Sequence, residues 1–299
     1  MYIERLKRDC AILDLPIAHK GMFGKVNNIN ITENSYDSIK TSIKNNLPFE
    51  IDIVKTKDDV PIVHHDFSIT IEGQDFAISE LTLEILNKYK KKGVINFITL
   101  EECISLNNGS VPMVLDFKET SFFRMTKYRK NIVSLLKDYL GEYAIQSFNP
   151  FFIFTMGKKL PNAVRGQLIC RGKTLIDTFK IKNPKKIGSM YERLMSFICW
   201  LANSDYIGLE VSKSKRWNSK IEEFVFTTTD EVQNTVVELA SKVTKKPVIG
   251  WTLTDLSELK FSPDVYDNYI FEPDKFENYD MFSNKIYNEL KSKRKKYDA

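Results

Sequence analysis

Two short segments of the chain combine all of its histidines with a pair of carboxylates. The first, residues 17–21, reads IAHKG, and the second, residues 48–66, reads PFEIDIVKTKDDVPIVHHD. If the second segment begins as a strand, Glu50 and Asp52 point to the same face, because strand side chains alternate with period two. Two adjacent carboxylates repel each other unless a cation lies between them, which predicts an oxygen-ligand metal site. Imidazoles beside a divalent cation are suited to acid–base chemistry on a phosphate or carbonyl ester.

Length and composition limit the classes of protein that fit. The 299 residues, 42% of them hydrophobic, can form a large core, which argues against a disordered chain. The excess of 44 basic over 39 acidic residues, a net charge of +5, slightly favours an anionic ligand. It does not form the concentrated basic face of a nucleic-acid-binding protein.

The cysteines and the apolar segments bear on location. Four dispersed cysteines form no C-x-x-C pair, which is typical of reduced thiols in a cytosolic protein. The charged first residues lack the apolar region of a signal peptide. The longest apolar run, residues 194–202, is shorter than the roughly 20 residues that span a membrane. We expect a cytoplasmic protein without a stable membrane anchor.

Short β-branched or aromatic runs alternate with helical patterns along most of the chain. The predicted strands are residues 16–19, 49–54, 113–117, 143–148, 165–169, 206–211, 247–253 and 268–271. The predicted helices are residues 35–45, 99–106, 125–140, 191–202, 230–243 and 275–293, with a capping box at Thr99 and Glu102. Eight strand–helix units predict an α/β protein, a (β/α)₈ TIM barrel in one domain spanning residues 1–299, with short insertions in its βα loops.

In such barrels the functional groups follow the carboxyl ends of the strands. Polar residues occur at or near the ends of six predicted strands: His19, Glu50, Asp52, Asp116, Lys118, Ser147, Glu210 and Trp251. The barrel rule and the carboxylate pattern therefore predict the same site.

These motifs resemble those of the glycerophosphodiester phosphodiesterase family. IAHKG, TENS at residues 32–35, FEIDIVKTKDDVPIVHHD, ITLEE and MVLDFK are similar, in order and spacing, to the family's HRG, PENT, E-x-D…HD, PTLEE and E-x-K motifs. Weaker matches, QSFNP, IGWTLTD and YIFEPD, extend the resemblance to about residue 274. The resemblance implies metal-dependent hydrolysis of glycerophosphodiesters to glycerol 3-phosphate and an alcohol.

The resemblance also implies a role for each matching residue. Glu50, Asp52 and Asp116 would bind a divalent cation, Ca²⁺ or Mg²⁺; His19 and His65 would be the acid–base pair; Lys20 and Lys118 would bind the phosphate. In three places the sequence departs from the family: Lys20 stands in place of the usual Arg, Asp116 in place of Glu, and Thr32 in place of Pro. At position 20 an ammonium, which is a point charge, replaces a guanidinium that could bind phosphate through two N–H groups. At position 116 aspartate shortens the side chain of the metal ligand by one methylene.

Several other residues have competing interpretations. His64 and His65 point to opposite faces if extended, so we assign His65 to the site and His64 to a structural or peripheral position. Trp251 could stack on the substrate or pack within the barrel. Glu210 could bind an amine of the head group, but the interpretation that it has no functional role is favoured. Two basic clusters, residues 171–186 and 213–216, are interpreted as solvated loops that could also attract anionic substrates.

Three functions follow. The first is the hydrolase acting on a small glycerophosphodiester. The second is a phospholipase-D-like lyase that acts on a lysolipid or sphingolipid and releases a cyclic phosphate. The third is a catalytically weak barrel that binds a phosphodiester, against which the presence of His19, His65, Glu50, Asp52 and Lys118 argues.

Overall fold

A computed structural model provides the structure of the chain. It describes residues 12, 15–26, 29–118, 126–169, 202, 204–210, 247–255, 266–275 and 288. The predicted helices at 191–202, 230–243 and 275–293 fall almost wholly outside these residues, and so do both basic clusters.

The described chain alternates strands and helices. The strands are β1 Ile17–Ala18, β2 Gly24–Val26, β3 Ile29–Ile31, β4 Phe49–Lys55, β5 Pro61–Val63, β6 Ser68–Ile71, β7 Gln74–Ala77, β8 Ile98–Thr99, β9 Met113–Phe117, β10 Tyr143–Ser147, β11 Val164–Ile169, β12 Tyr206–Glu210, β13 Val248–Leu253 and β14 Asn268–Phe271. The helices are α1 Tyr36–Lys44, α2 Leu83–Lys91, α3 Leu100–Asn107, α4 Lys127–Leu136 and α5 Pro150–Lys159, with 3-10 turns at Ile78–Glu80 and Pro273–Lys275.

Eight parallel strands of the described chain close into a barrel. They follow one another in the order β1, β4, β9, β10, β11, β12, β13 and β14, and β14 pairs with β1 to complete the ring. The predicted (β/α)₈ barrel is therefore confirmed. Each predicted strand is present, with ends that differ by at most one residue.

Alternation along the strands separates two apolar layers. Residues inside the ring, among them Val114, Ala144 and Ile249, form one buried cluster. Their sequence neighbours, such as Leu115 and Ile145, belong to the larger cluster between the strands and the helices. Burying each such side chain contributes roughly 1.5–3 kcal/mol, so a slip by one residue would be costly.

Several helices begin where the sequence predicts. At α3, the Thr99 hydroxyl accepts from the Glu102 backbone and the Glu102 carboxylate accepts from the Thr99 backbone, which confirms the capping box. Helix α4 ends at Leu136, four residues before the predicted end at Leu140.

The barrel has antiparallel additions that were not predicted from the sequence. Strand β5 pairs with β4 and with β8, and β6 and β7 form a separate hairpin. The β6–β7 turn contains Glu72 and Gly73, both with positive φ. Gly73 was a local signal for this two-residue turn, but glutamate is unusual at a position with positive φ, so the signal was weak.

Candidate active site

Three buried carboxylates meet inside the carboxyl end of the barrel. Asp52 of β4 pairs in register with Asp116 of β9, and Glu50 lies two residues earlier on the same face. Carboxylate oxygens of the three residues lie within 4.8 Å of one another. Each residue is at most 4% exposed, so the negative charges are shielded from water. The predicted shared face of Glu50 and Asp52 is therefore present, and Phe49, Ile51 and Ile53 are buried on the other face.

Crowding and burial change the proton affinity of this cluster. Burial, together with the charge of Asp52, raises the pKa of Glu50 to about 8. Burial also raises the pKa of Asp116 to about 6, although Lys118 opposes this shift. Asp52 is buried too, but the charge and hydrogen bond of Lys118 outweigh burial and lower its pKa. Three negative charges in this space therefore require a cation.

Lys118 supplies a positive charge between two of the carboxylates. Its Nζ lies 2.8 Å from Asp52 Oδ1 and 2.5 Å from Asp116 Oδ2. Burial opposes the ammonium charge, but these two carboxylates outweigh burial and raise the pKa of Lys118. Its backbone N–H donates to the Ile53 carbonyl, which continues the β4–β9 pairing past the strand end. The predicted phosphate ligand is thus an ion-pair partner of two predicted metal ligands.

His19 follows β1 and lies at the edge of the carboxylate cluster. Its Nε2 is 3.9 Å from Glu50 Oε2, and its Nδ1 is 2.9 Å from Glu272 Oε2. Burial disfavours the imidazolium, but the Glu272 hydrogen bond and the charges of Glu50, Glu272 and Asp52 together raise the pKa of His19. The side chain is 21% exposed, so a ligand can reach it.

Lys20 is held in an unusual backbone conformation beside His19. Its φ of 55° lies in the left-handed region, and the next residue, Gly21, has φ 76°. A Cβ on Gly21 would lie 2.7 Å from the Ser38 hydroxyl, so the bend also requires glycine for space. The Lys20 N–H donates to Glu50 Oε2 at 3.1 Å, while its ammonium binds Glu33 at 2.8 Å. In this turn the Lys20 amide donates to the Glu50 carboxylate of the site. The Lys20 ammonium, which is the predicted phosphate ligand, forms an ion pair with Glu33.

Asn34 forms hydrogen bonds with both the carboxylate and the backbone of Asp52, and these contacts were not predicted from the sequence. Its Nδ2 donates to Asp52 Oδ2 at 2.9 Å, and its Oδ1 accepts from the Asp52 backbone N–H at 3.1 Å. Asn34 has φ 50° and belongs to the TENS segment, where Ser35 caps α1. The matching family motif was the available signal, but it assigned no contact to this asparagine.

The adjacent histidines His64 and His65 differ in their surroundings. His65 has a side chain that is 46% exposed, and its Nδ1 lies 2.8 Å from Asp66 Oδ1. The charge of His65 also contributes to the lowered pKa of Asp52. His64 Nδ1 instead lies 2.9 Å from the Asp66 carbonyl, and its backbone N–H donates to the Asp52 backbone carbonyl.

Phe148, which follows β10, and Trp251, which lies within β13, form a pair called here the aromatic corner. Their ring centroids are 5.8 Å apart in an edge-to-face arrangement. Phe148 is 47% exposed, whereas the Trp251 indole N–H is buried and has no hydrogen-bond partner among the described residues. Trp251 also packs against the apolar cluster within the ring.

Ser147 and Glu210 were also selected from the sequence as polar residues near strand ends. The Ser147 hydroxyl donates to the Phe117 carbonyl at 2.7 Å and accepts from the Asn149 N–H, so it stabilises a strand end rather than facing the site as expected. The backbone of Glu210 ends β12 opposite Trp251, and its side chain lies outside the described part of the chain.

The model of the glycerophosphoryl diester phosphodiesterase family matches residues 19–188, more than half of the chain. The chain belongs to this family. Membership makes it a phosphodiesterase, as the motifs indicated, and the matched residues include the carboxylate cluster, all three histidines and Lys118. Among curated protein sequences, none is significantly similar to this phosphodiesterase.

Solved structures of other phosphodiesterases share the fold. An Oleispira antarctica phosphodiesterase in complex with the product sn-glycerol-3-phosphate is 18% identical, with a TM-score of 0.61 over 94% of this chain and 99% of that one. A putative glycerophosphodiester phosphodiesterase from Galdieria sulphuraria is 15% identical, with a TM-score of 0.61 over 92% and 96%. The Thermotoga maritima glycerophosphodiester phosphodiesterase is 16% identical, with a TM-score of 0.58 over 87% and 96%.

The carboxylate cluster has the properties that a divalent cation requires. Its donors are all oxygens, which suits hard cations such as Ca²⁺ and Mg²⁺. Asp116 Oδ1 is buried and finds no hydrogen-bond partner in the described chain, so it has a free ligand position. Within the described residues, no helix is long and apolar enough to cross a bilayer.

Proposed function

We propose that this phosphodiesterase hydrolyses glycerophosphodiesters to glycerol 3-phosphate and an alcohol, with His19 and His65 as the acid–base pair. The observation that carries the proposal is the position of His19, whose Nε2 lies 3.9 Å from Glu50 at the edge of a buried carboxylate cluster. The glycerol 3-phosphate product bound to the similar Oleispira antarctica phosphodiesterase supports this substrate class.

The carboxylates and lysines would handle the charge of the phosphodiester. Glu50, Asp52 and Asp116 would hold a divalent cation, Ca²⁺ or Mg²⁺, which when bound would neutralise charge on the phosphoryl oxygens. The ammonium of Lys118 lies between Asp52 and Asp116, and Lys20 contacts Glu50 through its backbone N–H and Glu33 through its ammonium. Each lysine would exchange a carboxylate for a phosphate oxygen.

The histidines would move the protons. One imidazole would remove a proton from the glycerol hydroxyl next to the phosphate, and that oxygen would attack phosphorus. As the bond from phosphorus to the alcohol oxygen breaks, the other imidazole would protonate the leaving alkoxide. Water would then open the cyclic phosphate to glycerol 3-phosphate. Each well-placed acid or base contributes about 10²–10⁴-fold.

Trp251 would bind the organic part of the substrate. Its edge-to-face contact with Phe148 gives the corner an apolar surface for the glycerol or the head group.

A cytoplasmic location is also proposed, because Cys103 is a buried free thiol whose pKa is raised by burial to about 12, as expected for an inert reduced cysteine.

One observation favours the second candidate, a lyase acting on a lysolipid or sphingolipid. Phe148 and Phe67 are 47% and 59% exposed, and Phe67 follows the His64–His65–Asp66 segment directly. Exposed aromatic side chains could contact an acyl chain. The product separates the two functions, because the lyase would stop at the cyclic phosphate.

The decisive assay uses glycerophosphocholine and glycerophosphoethanolamine, with and without EDTA, followed by addition of Ca²⁺ or Mg²⁺. We expect release of glycerol 3-phosphate that EDTA abolishes, that one of the cations restores and that His19→Ala removes. His64→Ala is the matched control and should remain active. A lysolipid substrate with cyclic phosphate as the final product would support the lyase. Binding without turnover under every cation would contradict both enzymatic functions.

A further inference from the structure

Glu272, to which the sequence analysis assigned no role, is fixed next to His19 by the closure of the barrel. Strand β14 pairs with β1 in the register Ala18 to Phe271, so the residue after each strand is brought together. The His19 N–H donates to the Phe271 carbonyl at 2.9 Å. The Glu272 N–H donates to Leu253 of β13 at 2.9 Å. Both backbones are therefore attached to the ring at the point where the two side chains meet.

The contact between the two side chains defines the state of the imidazole. His19 Nδ1 lies 2.9 Å from Glu272 Oε2. An ionised carboxylate only accepts hydrogen bonds, so Nδ1 is the protonated donor when the imidazole is neutral. Nε2, on the other side of the ring, then has a free lone pair and lies towards Glu50 at 3.9 Å.

The neighbouring cations do not compete strongly for the Glu272 carboxylate. Lys20 binds Glu33 at 2.8 Å, and Lys275 binds Asp274 at 2.8 Å. The segment that carries Glu272 is also held by close packing, since a Cβ on Gly24 of β2 would lie 2.8 Å from the Asp274 Cβ. Glu272 itself is only 17% exposed in its side chain, which limits competition from water.

We propose that Glu272 is the positioning residue for His19: its carboxylate fixes the Nδ1–H tautomer and directs Nε2 towards the reacting atoms. This inference rests on the proposed function of His19. Glu272 touches neither substrate nor cation in this role and acts only through the imidazole. A carboxylate that orients a histidine in this manner typically changes activity by about 10–100-fold when removed.

A double-mutant cycle tests whether Glu272 acts through His19. We expect Glu272→Ala to lower kcat by roughly 10–100-fold with KM changed less than about threefold. Added to His19→Ala, the same substitution should cause less than about a twofold further loss, because the group it positions is gone. Glu272→Gln should retain more activity than Glu272→Ala, since its amide oxygen can still accept from Nδ1. Asp274→Asn is the matched control, a neighbouring carboxylate paired with Lys275, and should match the wild type.

An NMR measurement separates this inference from the proposed function. Imidazole nitrogen shifts of ¹⁵N-histidine-labelled protein, with His19→Ala used to assign the signal, should show neutral His19 protonated at Nδ1. Glu272→Ala should move that signal towards the Nε2–H tautomer, and Asp274→Asn should not. If His19→Ala keeps full activity, the proposed function fails while the tautomer still tests the contact. An unchanged tautomer in Glu272→Ala, or fully additive losses in the cycle, would overturn the inference.

Discussion

The ammonium of Lys118 lies 2.8 Å from Asp52 Oδ1, inside the carboxylate cluster that is proposed to bind a cation. The same ammonium is 2.5 Å from Asp116, so one lysine compensates two buried charges. Among the described residues, Glu50 contacts the imidazole of His19 but no lysine ammonium, and its pKa is the highest of the three, about 8. The protein without a cation is therefore stabilised by its own lysine, and cation binding must compete with that ion pair.

Lys118→Met should destabilise the metal-free protein. It leaves Asp52 and Asp116 without their counter-ion, and we expect a loss of about 3 kcal/mol in the free energy of unfolding, the low end for breaking a buried ion pair. The cation should bind Lys118→Met at least as tightly as wild type, because a competitor has been removed. Urea unfolding in EDTA and calorimetric titration with Ca²⁺ measure both effects. Lys137→Met is the control: this lysine is 57% exposed and should change stability by less than about 1 kcal/mol.

The metal-free protein should lose stability as the pH rises from about 5 to about 8. On folding, the pKa of Glu50 rises from 4.5 to about 8 and the pKa of Asp116 rises from 3.8 to about 6. Between these values the folded state holds protons that the unfolded state has lost. The free energy of unfolding falls with pH wherever the folded state binds more protons. The raised pKa of His19 acts in the same direction, and the lowered pKa of Asp52 acts only at more acidic pH.

Urea unfolding in EDTA at several pH values measures this slope. Glu50→Gln should flatten much of it, because a neutral amide has no proton to lose. Saturating Ca²⁺ should stabilise the wild type most at the alkaline end, where the ligands are ionised. Stability that rises with pH across this range in EDTA would contradict the assignment.

The length of the side chain at position 116 should matter less than its charge. Asp116 Oδ1 is buried without a hydrogen-bond partner among the described residues, so it has a free ligand position. We expect Asp116→Ala to weaken Ca²⁺ binding by more than about tenfold, or about 1.4 kcal/mol. Asp116→Glu, which introduces the usual family residue, should stay within that factor, although the added methylene should lower metal-free stability by about 1–3 kcal/mol. Calorimetric titration distinguishes the two variants.

The two adjacent histidines should differ sharply in their contribution to turnover. His65→Ala should lower kcat by about 10²–10⁴-fold, the usual contribution of a well-placed acid or base, because His65 is proposed to transfer a proton. His64→Ala should change kcat by only a few-fold, because its Nδ1 is engaged by the Asp66 backbone. Steady-state rates with glycerophosphocholine compare the pair. Equal losses from both substitutions would contradict the division of roles.

Local patterns predict much of the barrel. β-Branched and aromatic runs mark its strands, because period-two alternation is a local property that burial on two faces preserves. The same alternation places Glu50 and Asp52 on one face, and the ends of β9 and β14 agree with prediction to the residue. The end of α4 and the β6–β7 hairpin were less predictable, because packing and turn conformation decide them.

The sequence by itself determined the strand segments, the shared face of Glu50 and Asp52 and the histidine segments, since each depends on residue type and short-range spacing. Only the tertiary structure decided which groups touch. Glu272 and His19 are 253 residues apart and meet because the last strand closes against the first. Lys118 and Asn34 bind Asp52 because three separate segments converge on one end of the ring. Such contacts depend on barrel closure and charge compensation in a buried space, and neither property is encoded within a single local segment.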